Sequence, residues 1–201
     1  MYRKDIPERR REQLIDAAFA TIGNVGLAGV TISQVANQAG MSTGIVSHYF
    51  GDKEGLLNAT MRKVLCDLRD AVAEYRKKAG ASAQEQLFAI IDGNFHPSQT
   101  SALSMRTWLD FWAASMHQPK LRRLQRANDS RLFSNCCFQF QRHLPKEQAR
   151  KAARGLAAMI DGLWLRGSLT GLDFDVHKAS EIAYDYVENI LSPYTGRTAS
   201  R

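Results

Sequence analysis

The 201-residue sequence has no run of about 18 apolar residues, so nothing in it reads as a membrane-spanning helix. Cysteine is scarce. Cys66, Cys136 and Cys137 are the three, an odd number with two adjacent, which suits neither a disulfide framework nor zinc-ligand spacing. They are expected as reduced thiols on helices. The five histidines, His48, His96, His117, His143 and His177, are scattered without metal-ligand spacing. There is no His-Glu-x-x-His, phosphate loop or nucleophile elbow, so no catalytic residue, metal or cofactor is predicted. Sustained apolar–polar alternation is missing too, which argues against strands. The opening MYRKDIPERRRE lacks the apolar middle of a signal peptide, and a cytoplasmic protein is expected.

The most informative scarcity is of charge. The chain carries a net +7, yet residues 17–51 contain no Asp, Glu, Lys or Arg. The basic excess lies in residues 118–154, with ten Lys and Arg against two Asp and Glu. Arg122, Arg123, Arg126 and Arg131 read as a solvated helix face, with a secondary electrostatic role as the other reading.

Within the uncharged stretch, Thr31 is placed to cap a helix through Val35 and Ala36. Gly40 suits a turn that needs positive φ, and Ser42 or Thr43 opens a second helix ending near Tyr49 and Phe50. Ala36, Gly40 and Val46 are spaced so that the two helices pack at a steep angle. This is the helix-turn-helix arrangement, whose second helix enters the DNA major groove. The plainer alternative is two unrelated surface helices joined by a glycine turn. A reader without charge must use neutral groups. Thr43 can approach base edges where Gly44 lets the helix come close, and His48 and Tyr49 can reach phosphates or thymine methyls. Phe50 reads as core.

Apolar residues recur at three- and four-residue intervals elsewhere. One helix precedes the pair, from about Pro7 to Val25. After it, Asp52 caps a long helix from Lys53 to about Lys78, and further helices are predicted near 83–95, 99–117, 120–143, 145–170 and 176–191. Pro97 should break the helix that precedes it, and Gly171 should close the helix before it. The expected fold is all-α with about nine helices: a DNA-binding domain at 1–52, a helical bundle at 53–192, and a tail at 193–201 without fixed structure.

TISQVANQAGMSTGIVSHYFGDKEGLL, with three N-terminal helices and six beyond, resembles the TetR family of one-component repressors. The segments DGNF, WLDFWAASMHQPKLRRLQ, LPKEQAR and AAMIDGLWLRGSLTG are similar to the branch of that family that answers choline and represses glycine-betaine synthesis. Asn37-Gln38 depart from the family, where a basic residue is common. The resemblance implies that Tyr49 and Lys53 hold phosphates, Lys53 at a helix N-terminus where the dipole also favours an anion, and that Thr31 does likewise. The DNA-contacting set is then Thr31, Ser42, Thr43, Gly44, Ser47, His48, Tyr49 and Lys53.

In the second half, Trp108, Phe111 and Trp112 stand at spacings of three and four, and Trp164 lies one turn past Asp161. Such a stripe reads as core or as a cage for a cation, since indole faces attract quaternary ammonium groups. Asp161 or Asn94 could meet the ligand's hydroxyl or neutralise its charge. The resemblance implies that Asn94, Trp108, Phe111, Trp112, Asp161 and Trp164 bind choline or a similar quaternary amine, and that the partner is a double-stranded operator. Ala157, Ile160, Leu163, Gly167 and Ser168, with Ile182, Tyr186 and Ile190, offer a face for a homodimer, which a palindromic operator requires. A regulator of another cationic or apolar ligand, a ligand-independent DNA-binding adaptor, and a helical enzyme are the competing readings.

Overall fold

Three glycines carry the positive φ angles found among the described residues: Gly26 at 78°, Gly40 at 65° and Gly51 at 77°. Two of them, Gly40 and Gly51, bound the third helix. The structure, a computed structural model, describes residues 6–170 and 174–195. Among these it has ten helices and no strand: α1 Ile6–Gly29, α2 Ile32–Gln38, α3 Thr43–Phe50, α4 Lys53–Lys78, α5 Ala83–Asn94, α6 Pro97–Thr100, α7 Ala102–Ser115, α8 Pro119–Phe140, α9 Lys146–Thr170 and α10 Val176–Thr195. They form two compact units, one of residues up to 66 with 102–125, the other of 67–101 with residues from 126 onward.

In the first unit α1 packs on α2 and α7, and α2 packs on α3. Leu14, Ile22, Val35, Val46, Leu56 and Met61 close its core. Removing one such side chain's surface from water contributes about 1.5–3 kcal/mol. α1 is not continuous. Gly26 leaves the helical region at φ 78°, ψ 158°, which only glycine adopts at little cost. The break frees the N–H of Leu27, and the Asp110 carboxylate of α7 accepts it at 2.6 Å. Just before the break, Gly23 lies against α7, where an added Cβ would sit 2.6 Å from Leu103 Cγ.

In the second unit α10 packs on α5 and α9. A capping box starts α5: Ser82 Oγ accepts from the Glu85 N–H at 3.2 Å, and Glu85 accepts from the Ser82 N–H at 3.1 Å. Gly93 brings the α5 backbone onto α4, since a Cβ there would meet Val72 Cα at 2.5 Å. The Tyr184 hydroxyl of α10 donates to Asp92 of α5, and its ring lies 4.3 Å from that of Phe88. Tyr186 donates to the Ala152 carbonyl of α9 at 3.1 Å.

Several expectations are corrected in detail. Among the described residues there are ten helices where about nine were expected, because Pro97 not only follows the end of α5 but begins the short α6; His96 Nδ1 accepts from the Ser98 N–H at 3.1 Å and caps that turn. Proline's missing N–H costs nothing in a first turn. α7 accordingly starts at Ala102, and α1 extends past Val25 through the kink. α10 runs through Thr195, so residues 193–195, expected in the tail, are helical. Gly171 and residues 196–201 lie outside the described residues. Phe50 is half-buried, not core, and the Arg11 guanidinium lies 5.4 Å from its ring centre. The cysteines carry free thiols on α4 and α8; burial pushes Cys136 up to about 12, which leaves it protonated and unreactive.

Candidate functional site

α3 is anchored by one residue. Val46 is fully buried, while Thr43, Gly44, Ser47 and His48 are exposed around it. The exposed residues share one side of this eight-residue helix, while Ile45, Tyr49 and Phe50 are half-buried with Val46 on the other. Ser42 caps α3 through its backbone: its carbonyl accepts from the Ile45 N–H at 3.1 Å, and its hydroxyl makes no cap bond. Tyr49 is half-buried, its ring 5.4 Å from His48 in an edge arrangement. Around Gly44 there is open space, for a Cβ would meet nothing nearer than Ser42 Oγ at 3.8 Å. Internal packing therefore gives no reason for glycine at this position.

The flanking residues are tied to helix ends. Thr31 forms a capping box with Gln34: its hydroxyl accepts from the Gln34 N–H at 3.2 Å and its own N–H donates to Gln34 Oε1 at 2.8 Å. Asp52 Oδ1 accepts from the Gly55 N–H at 2.7 Å and starts α4. Lys53 Nζ donates to the Ala28 carbonyl at 3.2 Å, which ties the start of α4 to the end of α1. The sequence-predicted set Thr31, Ser42, Thr43, Gly44, Ser47, His48, Tyr49 and Lys53 thus lies within one unit, on α3 and the helix starts that flank it.

The residues expected to bind an effector divide. Trp108, Phe111 and Trp112 form one cluster on α7, with ring centres 5.7 Å apart for Trp108 and Phe111 and 6.2 Å for Trp108 and Trp112. Phe111 is fully buried and Trp108 nearly so, while Trp112 is half-buried. Asn94, Asp161 and Trp164 belong to the second unit. There the Trp164 indole N–H donates to the Gln99 carbonyl at 3.4 Å. Asn94 and Asp161 are not brought together; each lines a different cavity.

The Asp161 cavity has a volume of about 330 Å³ and is lined also by Asp129, Phe133 and Arg154. The protein atoms around it disfavour the charged carboxylate, and Asp129 adds like charge, so Asp161 is pushed up to about 6 although its side chain keeps access to solvent. The face of Phe133 already holds cations, with the guanidinium carbons of Arg150 and Arg154 5.6 and 5.7 Å from its centre. Sequence reading missed Asp129 and Phe133, which α8 brings to Asp161 of α9 from about 30 residues away. It missed Asp110 too, although the break was foreshadowed by the two glycines of NVGLAG.

Comparison with known proteins recognises two segments of the chain. Residues 14–60 match the family described as bacterial regulatory proteins, tetR family, and residues 83–192 the one described as BetI-type transcriptional repressor, C-terminal. The chain is 61% identical over 188 residues to the HTH-type transcriptional regulator BetI of Stenotrophomonas maltophilia (strain R551-3), covering 94% of this chain and 96% of that protein. Among solved structures, a regulator from Pseudomonas aeruginosa PAO1 superposes with a TM-score of 0.81 at 23% identity, covering 92% of each chain. A regulator from Saccharomonospora viridis, solved in complex with choline, does so with a TM-score of 0.78 at 22% identity, covering 90% of this chain and 96% of that one.

Proposed function

Because the chain belongs to the TetR family, in its BetI-type group of DNA-binding transcriptional repressors, we propose that it binds a palindromic operator as a homodimer in the cytoplasm and releases it when choline or a related quaternary amine binds. Like its relatives it is a regulator and not an enzyme. The genes it controls are those converting choline to glycine betaine.

The observation that carries the DNA-binding mode is the exposed, uncharged face of α3 around buried Val46. Gly44, with open space where a side chain would go, lets backbone meet base edges, and Thr43 reads them. Ser42, Ser47, His48 and Tyr49 supply the neighbouring contacts. Lys53 and Thr31, at helix starts, hold phosphates.

Dimerisation uses the apolar surface that the subunit leaves open on α9 and α10: Leu169 is 73% exposed, and Leu165 and Ile182 are exposed as well. Ile160 and Gly167 are buried within the subunit, so the dimer face is narrower than the spacing alone suggests. A twofold dimer places two α3 helices on two half-sites.

For the effector, a quaternary ammonium has no N–H to donate, so aromatic faces and carboxylates must hold it. Asp161, exposed on α9 of the second unit, offers a carboxylate, and Trp112, half-buried on α7 of the first, offers an indole face. The choline in the Saccharomonospora viridis structure supports this ligand class. Release requires the ligand to prefer the form that binds DNA poorly, and tight binding alone is not enough.

The test is fluorescence anisotropy of the operator with increasing choline, beside sedimentation of the free protein. Dimers at micromolar concentration and operator release by choline are expected. Trp112→Ala should weaken choline binding by roughly thirtyfold, from about 2 kcal/mol for a desolvated cation–aromatic contact. Monomers, or a folded protein that ignores millimolar choline, would reject the corresponding part of the proposal.

A further inference from the structure

Within the second unit, α4, α5 and α8 enclose a cavity of about 210 Å³ whose chemistry is opposite to that of a cation site. Three guanidinium groups, Arg69, Arg76 and Arg131, stand at its wall, and no Asp or Glu is among the described residues lining it. Val72 and Ile90 give it an apolar floor. Arg69 is paired with Asp70 at 2.7 Å, and Arg131 donates to Asn128 Oδ1 at 2.8 Å.

Arg76 organises the site. It is half-buried, and its hydrogen bonds go to neutral groups: Nε donates to Gln86 Oε1 at 3.1 Å and Nη1 to Asn135 Oδ1 at 3.3 Å. Gln86 is itself fixed, its amide donating to the Arg76 and Gly80 carbonyls, both at 3.0 Å. The carboxamides orient the guanidinium without neutralising it. A guanidinium has five N–H groups in a planar fork, and these two bonds leave donors for a ligand. The floor is stiff, because Gly93 holds the α5 backbone against Val72.

We propose that this cavity binds a small organic carboxylate, its two oxygens on Arg76 and its apolar part on Val72 and Ile90. The volume corresponds to about seven liquid waters at roughly 30 Å³ each, which admits a short-chain acid. A quaternary ammonium is repelled by the same guanidinium groups. The repressor then senses an anionic solute separately from its cationic effector, and the site stands whether or not choline is that effector.

The test is titration calorimetry of the full-length protein with butyrate, inorganic phosphate and choline chloride at fixed ionic strength. Saturable butyrate binding is expected, weakened at least about tenfold by Arg76→Gln through loss of a charge-assisted bidentate contact. Asn135→Asp, which sets a carboxylate beside Arg76 at an unchanged size, should weaken it likewise and guards against a variant that fails to fold. Arg123→Gln, outside the cavity, should bind as the wild type does. No saturable binding of millimolar butyrate, or equal affinity in both cavity variants and the wild type, overturns the site. Phosphate binding tighter than butyrate overturns the carboxylate assignment, and competition between choline and butyrate overturns the separation of the two ligands.

Discussion

The Leu27 N–H donates to the Asp110 carboxylate at 2.6 Å across 83 residues of sequence. The bond caps the broken end of α1 from the side of α7, one residue from Phe111 and two from Trp108 and Trp112. The helix that bears the aromatic cluster thus terminates a helix of the DNA-binding half through one side chain.

Asp110→Ala should lower the free energy of unfolding by about 1–2 kcal/mol, the cost of leaving a cap donor unsatisfied. Asp110→Asn retains an acceptor and should lose less. Chemical denaturation measures both, and an alanine variant as stable as the wild type would remove the cap's importance.

Gly44→Ala should separate stability from function. Since a Cβ meets only Ser42 Oγ at 3.8 Å, the variant should be as stable as the wild type or gain up to about 0.5 kcal/mol from helix propensity. Its operator affinity should nevertheless fall, because the added methyl would stand on the face proposed to meet DNA. Lys53→Ala should weaken binding to all sequences and reduce the salt slope by about one unit. Gly44→Ala protein that binds operator normally would take this face out of the groove.

The raised proton affinity of Asp161 fixes a pH dependence. Its folded-state value, about 6, lies above the unfolded one. The folded state therefore holds the proton more tightly, and this group's contribution is full in acid and declines as pH rises from about 4 through about 6. Asp161→Asn should flatten stability over that window and stabilise the protein at neutral pH. The proposed choline contact needs the ionised carboxylate, so choline should bind more weakly below about pH 6 in the wild type, with no such trend in the variant. Parallel pH profiles for both proteins would reject this role.

Gly93→Ala should cost about 1–3 kcal/mol by overpacking, because the obstacle is the Val72 backbone, 2.5 Å from the new Cβ. A backbone cannot rotate aside as a side chain can. Thermal unfolding reads the loss, and an unchanged midpoint would show that α4 and α5 slide apart freely.

Local signals were the legible ones. Thr31, Gly40 and Asp52 act within four residues of themselves, and each takes the cap or turn role that its local chemistry suggested. The apolar periodicity of α4 and α9 likewise gave helices near the expected bounds. What stayed hidden depends on partners distant in sequence. Nothing around Asp110 announces Leu27, and nothing around Asp161 announces Asp129. Whether Phe50 or Phe111 is buried is decided by neighbouring helices, so two similar rings take different places. The aromatic spacing on α7 is satisfied equally by a core and by a cage, and only packing sorts Phe111 from Trp112.

The uncharged face of α3 has a consequence for timing. Attraction between fixed charges and a polyanion reaches a Debye length of about 8–10 Å in physiological salt, whereas hydroxyls and backbone act only on touching. Such a face adds nothing to the approach and gives its whole contribution after arrival. Raising ionic strength should then slow the encounter and shorten every stay on DNA, while leaving the preference of one sequence over another almost untouched.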